Sequence, residues 1–304
     1  MKKNRNKLKR QLEIQSMVLP GIIFLIIFSY IPMVGVAMSF VDYNPVAGFW
    51  NSEFVGLKYF KEIFSDQAFP MIMKNTLGIN LIGLVIQFPT TILFAILLNE
   101  VKALKFKKIV QTVSYLPHFV SWVIFGGIIM QLLSAGDDGI INNLLRMTGI
   151  IDRPINFMGE AGMFWGIIII SSLVKGLGWG AIVYIAAIAG INTELYEAAE
   201  IDGAGRLAKM WYVTLPGISA TIVVMLIFAI SGILNSSMDS TLVLQNNLNY
   251  VASETIDMYV YHVGISNYRF SYATAIGLMK SVVGVILLVG ANFISKKITD
   301  KGLF

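Results

Sequence analysis

The 304-residue chain contains no cysteine and only two histidines, His118 and His262. Disulfides, thiolate zinc sites and cysteine nucleophiles are excluded together, and no HExxH zinc helix can be written. Charge is also scarce: 13% of residues are charged, against about 25% in a typical soluble domain. No Gly-Lys dipeptide occurs, so the chain has no Walker A loop to cradle nucleotide phosphates. It shows no serine-nucleophile motif, internal repeat or low-complexity tract. What fills the chain is apolar, 56% of all residues, and this composition implies a polytopic membrane protein. The net charge of +5 is not interleaved with a platform of stacking aromatics. It therefore reads as topological bias and not as an affinity for nucleic acid.

A membrane-spanning helix needs about 20 mostly apolar residues. Six runs meet that length, at 17–40, 76–98, 112–134, 163–190, 218–236 and 273–294. The fold class expected is therefore all-α, with six transmembrane helices in one membrane domain over 17–294. A basic segment precedes it at 1–16 and a short tail follows at 295–304. The first run exceeds the h-region of a signal peptide, about 7–15 residues, and is expected to be a retained span. With the N-terminus inside, 15 of the 23 basic residues fall on cytoplasmic segments and 6 on the other side. Lys2, Lys3, Arg5, Lys7, Lys9 and Arg10 precede the first span, Lys102, Lys105, Lys107 and Lys108 follow the second, Arg206 and Lys209 lie in the 191–217 loop, and Lys296, Lys297 and Lys301 follow the last. This is the positive-inside bias. It places both termini and the 191–217 loop in the cytoplasm.

Between the first two spans, Leu57, Phe60, Ile63 and Phe64 recur at helical spacing among Lys58, Lys61 and Glu62. Two readings stand: an amphipathic helix on the outer membrane face, or an ordinary packed loop helix. The 135–162 loop is rich in Gly, Asp and Asn. Its Asp137-Asp138 pair lacks the alternating ligand spacing of an EF-hand, so a plain turn is expected.

The most informative stretch is the loop itself. It reads Glu197-Ala198-Ala199, then Asp202-Gly203-Ala204, then Leu215-Pro216. Thr193 is placed to cap a short helix whose first turns carry acids, which suit the positive end of the helix dipole. Gly203 and Gly205 permit positive φ at a sharp corner, and Pro216 breaks or starts a helix at the next span. The result is helix, turn, helix, with small alanines that let the knob seat deep in a partner's groove.

These residues, at this spacing, resemble the EAA loop of permease subunits of carbohydrate-type ATP-binding-cassette importers, the type I, binding-protein-dependent inner-membrane components. The family's apolar Phe and Ile positions are here Met210 and Val213. Tyr115-Leu116-Pro117-His118, Lys175-Gly-Leu-Gly-Trp179-Gly and Ser271-Tyr-Ala-Thr-Ala-Ile-Gly277 are similar to the oligosaccharide subgroup, including permeases described as lipoprotein- or polygalacturonate-type. The resemblance implies a type I permease fold with a cytoplasmic coupling helix, in a multi-pass protein of the bacterial cell membrane. It implies that Glu197, Ala198, Ala199, Asp202, Gly203, Ala204, Leu215 and Pro216 couple the chain to a separate ATPase. It further implies a second homologous permease, two ATPase subunits and an extracellular sugar-binding protein. ATP and magnesium would sit on the ATPases, and this chain would bind no cofactor or metal. A Gly203→Asp change would then uncouple ATP hydrolysis from transport. The alternative is an ion-gradient-driven secondary transporter, a class that often shows inverted repeats.

Polar groups inside spans are costly and point to substrate pathways. For Lys175, two readings stand: a pore-facing donor to sugar hydroxyls or a uronate, or a structural lysine on carbonyls of a Gly-rich bend. Trp179 can stack on a sugar or pack. Asn235, Ser236 and Asp239 either line the cavity or mark the end of the fifth span. Lys280 reads as a packing or snorkelling residue.

Overall fold

The computed structural model describes residues 2–136, 138–299 and 302–303; Asp137 and Lys301, named above, lie outside them. Two compact units are distinguished, one formed by residues 1–66 and 260–279, the other by 67–259 and 280–304.

In the first unit, helix α1 (Lys2–Leu25) continues through a π-helical turn, Ile26–Tyr30, and a 3-10 stretch, Ile31–Phe40. Its apolar run, Gln15–Phe40, is long enough to cross a membrane. A two-residue antiparallel pair follows, β1 (Val41–Asp42) with β2 (Glu53–Phe54). Helix α2 (Lys58–Ser65) buries Tyr59 and Ile63 and leaves Leu57 and Phe64 exposed. Its inner face is therefore packed against protein, as in the second of the two readings. The Tyr59 hydroxyl donates to Asp42 at 2.7 Å, and Tyr272 donates to Asp66 at 2.7 Å.

The second unit is built on α3 (Phe69–Asn99) and α7 (Phe164–Ala189), which pack along their lengths. Both agree with expected spans, as does α14 (Phe270–Thr299). The other two expected spans are broken. The third consists of α4 (Leu104–Phe119) and α5 (Trp122–Leu132), which meet at 102°. Val120 and Ser121 leave the helical region there, and Ser121 caps α5 by accepting from Ile124 N at 3.3 Å. Next, α6 (Ile140–Met147) is a helix inside the stretch read above as the 135–162 loop, while Asp138 lies in a turn before it. Buried Asn142 ties that stretch together through Ser134 O, at 2.7 Å, and both backbone atoms of Ile155. The fifth span consists of α9 (Arg206–Gly217) and α10 (Ser219–Ser231), bent by 62°, with α8 (Thr193–Ile201) preceding them. It ends at Ser231, short of Ser236. Three short helices then return along the unit: α11 (Met238–Leu244), α12 (Tyr250–Ser253) and α13 (Ile256–Tyr261). Among the described residues, four helices are long and apolar enough to cross a membrane, or up to six when each bent pair counts as one span.

Candidate functional site

The 190–217 segment is built from α8 and α9. Asn192, not Thr193, caps α8: its Oδ1 accepts from Glu194 N at 3.1 Å, and Thr193 is the first helical residue. An amide oxygen competes better for a cap than a threonine hydroxyl one position late. At the other end, Ala204 N bonds Ala199 O at 2.8 Å and Gly203 N bonds Glu200 O at 3.1 Å. Gly203 closes this turn with φ +78°, and a Cβ there would meet no atom within 4 Å. The glycine is required by backbone conformation, not by space. Gly205 has φ −69° and simply precedes α9.

Glu197, Ala198 and Asp202 are exposed, Ala199 and Ala204 half-buried. Around them Ile201, Leu207, Trp211 and Tyr212 are also exposed, Ile201 at 88%. The Lys209 ammonium is paired with Glu200; its hydrogen bond, then its charge, holds that carboxyl below the usual range. Tyr196 and Thr214 share a hydrogen bond of 2.9 Å between the two helices. Pro216 lacks an N–H and cannot continue α-helical bonding; the turn before it, Met210–Thr214, is π-helical. Leu215 is half-buried and Pro216 exposed. Met210 and Ile218 are buried in one core cluster with Ile92, Ala95, Tyr184 and Ile188. The exit of the loop is thus packed into α3 and α7.

Those same two helices wall a cavity of about 320 Å³ further along. Its polar lining includes Asn80 and Gln87 from α3, Ser172 from α7, and Ser236, Thr241 and Thr255 from the returning segments. Asn80 donates to Ile233 O at 2.7 Å and to Ser236 Oγ at 3.3 Å. A second, more apolar cavity of about 430 Å³ shares Gly83, Gln87 and Ala229 with the first and reaches Tyr184.

Of the five pathway residues named from sequence, only Ser236 lines the first cavity. Asn235 lines a separate cavity of about 270 Å³ beside Lys280. Asp239 is exposed on α11. Lys175 is buried, at 8% exposure, and its ammonium donates to Pro117 O at 2.9 Å, to His118 O at 3.1 Å and to Val120 O. It also lies 5.5 Å from the Trp122 ring centroid and 5.6 Å from that of Phe125. Trp179, one turn on, stacks on His118 at 4.4 Å with the rings nearly parallel. Between them, Gly178 lets α4 approach closely; a Cβ would lie 2.3 Å from Ser114 O. Lys175, Gly178 and Trp179 thus share one face of α7, turned toward the corner between α4 and α5.

Sequence reasoning missed Asn80, Gln87, Thr255 and Asp257. The first two are amides inside an apolar span, which is itself a signal. Asp257 was signalled by Lys280, an ammonium in a span that needs a partner. Lys280 pairs with Asp257, whose other oxygen accepts from Ser236 N at 2.6 Å.

Comparison with known proteins gives a consistent result. The sequence pattern of the family described as "Binding-protein-dependent transport system inner membrane component" matches residues 87–300. Protein LplB of Bacillus subtilis is 43% identical over 98% of this chain and 92% of its own length. The polygalacturonan/rhamnogalacturonan transport system permease protein YteP of the same organism is 42% identical with the same coverage. A chain from the crystal structure of a bacterial alginate ABC transporter, in complex with an alginate pentasaccharide-bound periplasmic protein, is 36% identical. It superposes with a TM-score of 0.86, covering 98% of this chain and 99% of that one. A family pattern over most of the chain, relatives above 40% identity and a matching fold agree: the chain belongs to the binding-protein-dependent transport system inner membrane components, and is a multi-pass permease subunit of an ATP-driven importer.

Proposed function

We propose that this chain forms half of the translocation pathway for an oligosaccharide and is driven by separate ATPase subunits docking on the 191–217 segment. Glu197, Ala198, Ala199, Asp202, Gly203, Ala204, Leu215 and Pro216 shape that docking element. The observation carrying the proposal is the continuity from loop to cavity: Met210 and Ile218 share a core with α3 and α7, and α3 and α7 wall the polar cavity. A rigid knob moved by a partner would move those walls, because packed helices shift as units and do not deform continuously.

The relatives' names supply the substrate class, carbohydrate polymers and their fragments. A second homologous permease completes the pore, two ATPases hold ATP and magnesium, and an extracellular binding protein delivers the sugar. Both termini lie in the cytoplasm, as the basic-residue bias requires. Substrate passes the cavity lined by Ser236, while Lys175 and Trp179 set the corner beside α7. Asn235 lines the separate cavity beside Lys280, and Asp239 stays exposed on α11.

The test is reconstitution of the complete transporter with Gly203→Asp. An L-residue in the left-handed region costs about 1–2 kcal/mol, and the added charge enters the docking surface. The variant is expected to insert and assemble, yet to hydrolyse ATP without moving sugar. An uptake rate equal to wild type would sink the proposal.

A further inference from the structure

The polar cavity of about 320 Å³ and the apolar one of about 430 Å³ meet along α3. Gly83, Leu84, Gln87 and Ala229 line both, and of these Gln87 alone carries a polar side chain. The lining recurs at helical spacing, through Asn80, Gln87 and Thr91 on α3 and through Ser172, Gly180 and Tyr184 on α7. From Asn80 to Thr91 an α-helix rises about 16 Å, about half the apolar thickness of a membrane. Tyr184 packs in the same core as Met210 and Ile218, so the apolar cavity is the end nearer the 191–217 segment.

Gln87 is poorly satisfied by its own chain. Its Nε2 makes one long hydrogen bond, 3.4 Å to Ile169 O, and its amide oxygen has no partner among the described residues. Tyr184 is buried, at 3% exposure, and its hydroxyl is unpaired as well; its ring meets Phe88 edge-on. Among the described residues, the Thr255 hydroxyl is the sole buried polar side-chain atom that is both unpaired and sealed from solvent. The free atoms of Gln87 and Tyr184 are therefore open to the cavities they line. Thr91 differs, since its hydroxyl donates to Gln87 O at 2.8 Å. An amide inside an apolar span that leaves most of its hydrogen-bonding capacity unused is costly, and an accessible one can recover that cost from a solute. Inward of Gln87 the serines and threonines of the first cavity give way to Phe88, Met225 and Phe228. A hydroxyl-rich solute there keeps few partners and is held weakly.

We infer that the two cavities form one lane along α3 and that Gln87 is the sugar contact at their junction. Its amide accepts from and donates to hydroxyls leaving the polar cavity, and the apolar stretch beyond it favours release toward the cytoplasm. This rests on the proposed function and deepens it by naming the residue at which the sugar passes from binding to release.

The experiment uses the full transporter with its binding protein in proteoliposomes and has two arms. The chain has no cysteine, so a single introduced thiol reports alone. The probe is a small cationic methanethiosulfonate, which needs water and a thiolate. Gln87→Cys is expected to react at least about tenfold faster than Val85→Cys. Val85 is 72% exposed, two positions away on α3, and lines neither cavity. Equal rates, or a thiol at 87 that the second permease shields, would overturn the lane. In the other arm, uptake of trigalacturonate and arabinotriose is measured. Gln87→Met, close in volume, is expected to weaken uptake of the transported sugar about tenfold through KM, with an unchanged thermal midpoint because the bond to Ile169 O is long. An unchanged KM, or a thermal midpoint that falls along with uptake, would overturn the contact. Uptake of neither sugar by wild type would overturn the oligosaccharide reading and the sugar contact with it, while the thiol arm would still decide the lane.

Discussion

Two regions of the second unit solve one problem in different ways. Each holds a lysine inside an apolar helix, Lys175 on α7 and Lys280 on α14. Lys175 gives its ammonium to three backbone carbonyls at the corner where α4 ends. Those carbonyls lie at the negative end of a helix, where a cation is favourable; Pro117 O also accepts from Val120 N at 3.3 Å. Lys280 instead meets a carboxylate, Asp257, which also holds the Ser236 backbone. One cation is met by dipoles that exist wherever a helix stops; the other needs a second charged side chain. The first arrangement depends on backbone geometry and the second on residue identity, so they should fail differently.

The sharpest break of the comparison is Lys280→Met. It leaves Asp257 with a largely buried, uncompensated charge, which destabilises by about 3 kcal/mol. Adding Asp257→Asn should restore most of that loss, since the amide oxygen still accepts from Ser236 N. Thermal midpoints of the single and double variants check this; equal midpoints for Lys280→Met and the double variant would show that the pair is not coupled. Next in size is Lys175→Met. It removes the cation from three neutral carbonyls, of which Pro117 O still accepts from Val120 N, at about 2 kcal/mol, and no side-chain change can rescue it because its partners are backbone atoms. Proteolysis at 117–122 should accelerate in this variant as the corner loosens, and an unchanged cleavage rate would contradict the role given to Lys175.

The same contrast explains what was legible in the sequence. Helices α3, α7 and α14 were readable because hydropathy reports length and apolar content. The 102° corner was not, since the 112–134 stretch stays apolar on average despite Pro117, His118 and Ser121, and a window average cannot see Val120 and Ser121 leave the helix. The fifth span looked longer than it is for a related reason: Gly232–Leu234 stays apolar beyond the end of α10. Gly203 was legible because only backbone chemistry demands a glycine there, and its φ of +78° fits that demand. Gly205 carries the same letter without the same need. Of the cavity, Ser236 was legible as a polar residue at a span end. Thr255 was not, for it sits 19 residues beyond it and reaches the cavity only because the chain turns back through α11 and α12. Lys175 kept two readings open because a lysine's partner is invisible when it is backbone.

The smallest effect extends the comparison outside the spans, to the charge contact of the first unit. Asp42 accepts from the Tyr59 hydroxyl at 2.7 Å and lies 3.5 Å from the Lys58 ammonium. The Tyr59 hydrogen bond, with help from Lys58, holds the Asp42 carboxyl below its usual range, while burial and then the bond to Asp42 push Tyr59 up to about 12. A depressed carboxylate stabilises the fold above its unfolded value of about 3.9 and loses that contribution as pH falls through the folded value. A raised tyrosine stabilises below its unfolded value of about 10 and loses its contribution as pH rises toward 12. The contact should therefore contribute a flat increment between those limits. At this exposure the Asp42 side should contribute less than about 1 kcal/mol, unlike the less exposed Lys280 pair. Tyr59→Phe should remove the increment across the plateau and flatten the stability profile at both ends. If the acid limb survives in Tyr59→Phe, the depression of Asp42 belongs to Lys58, and the contact joins Lys280 as a pairing of two charges.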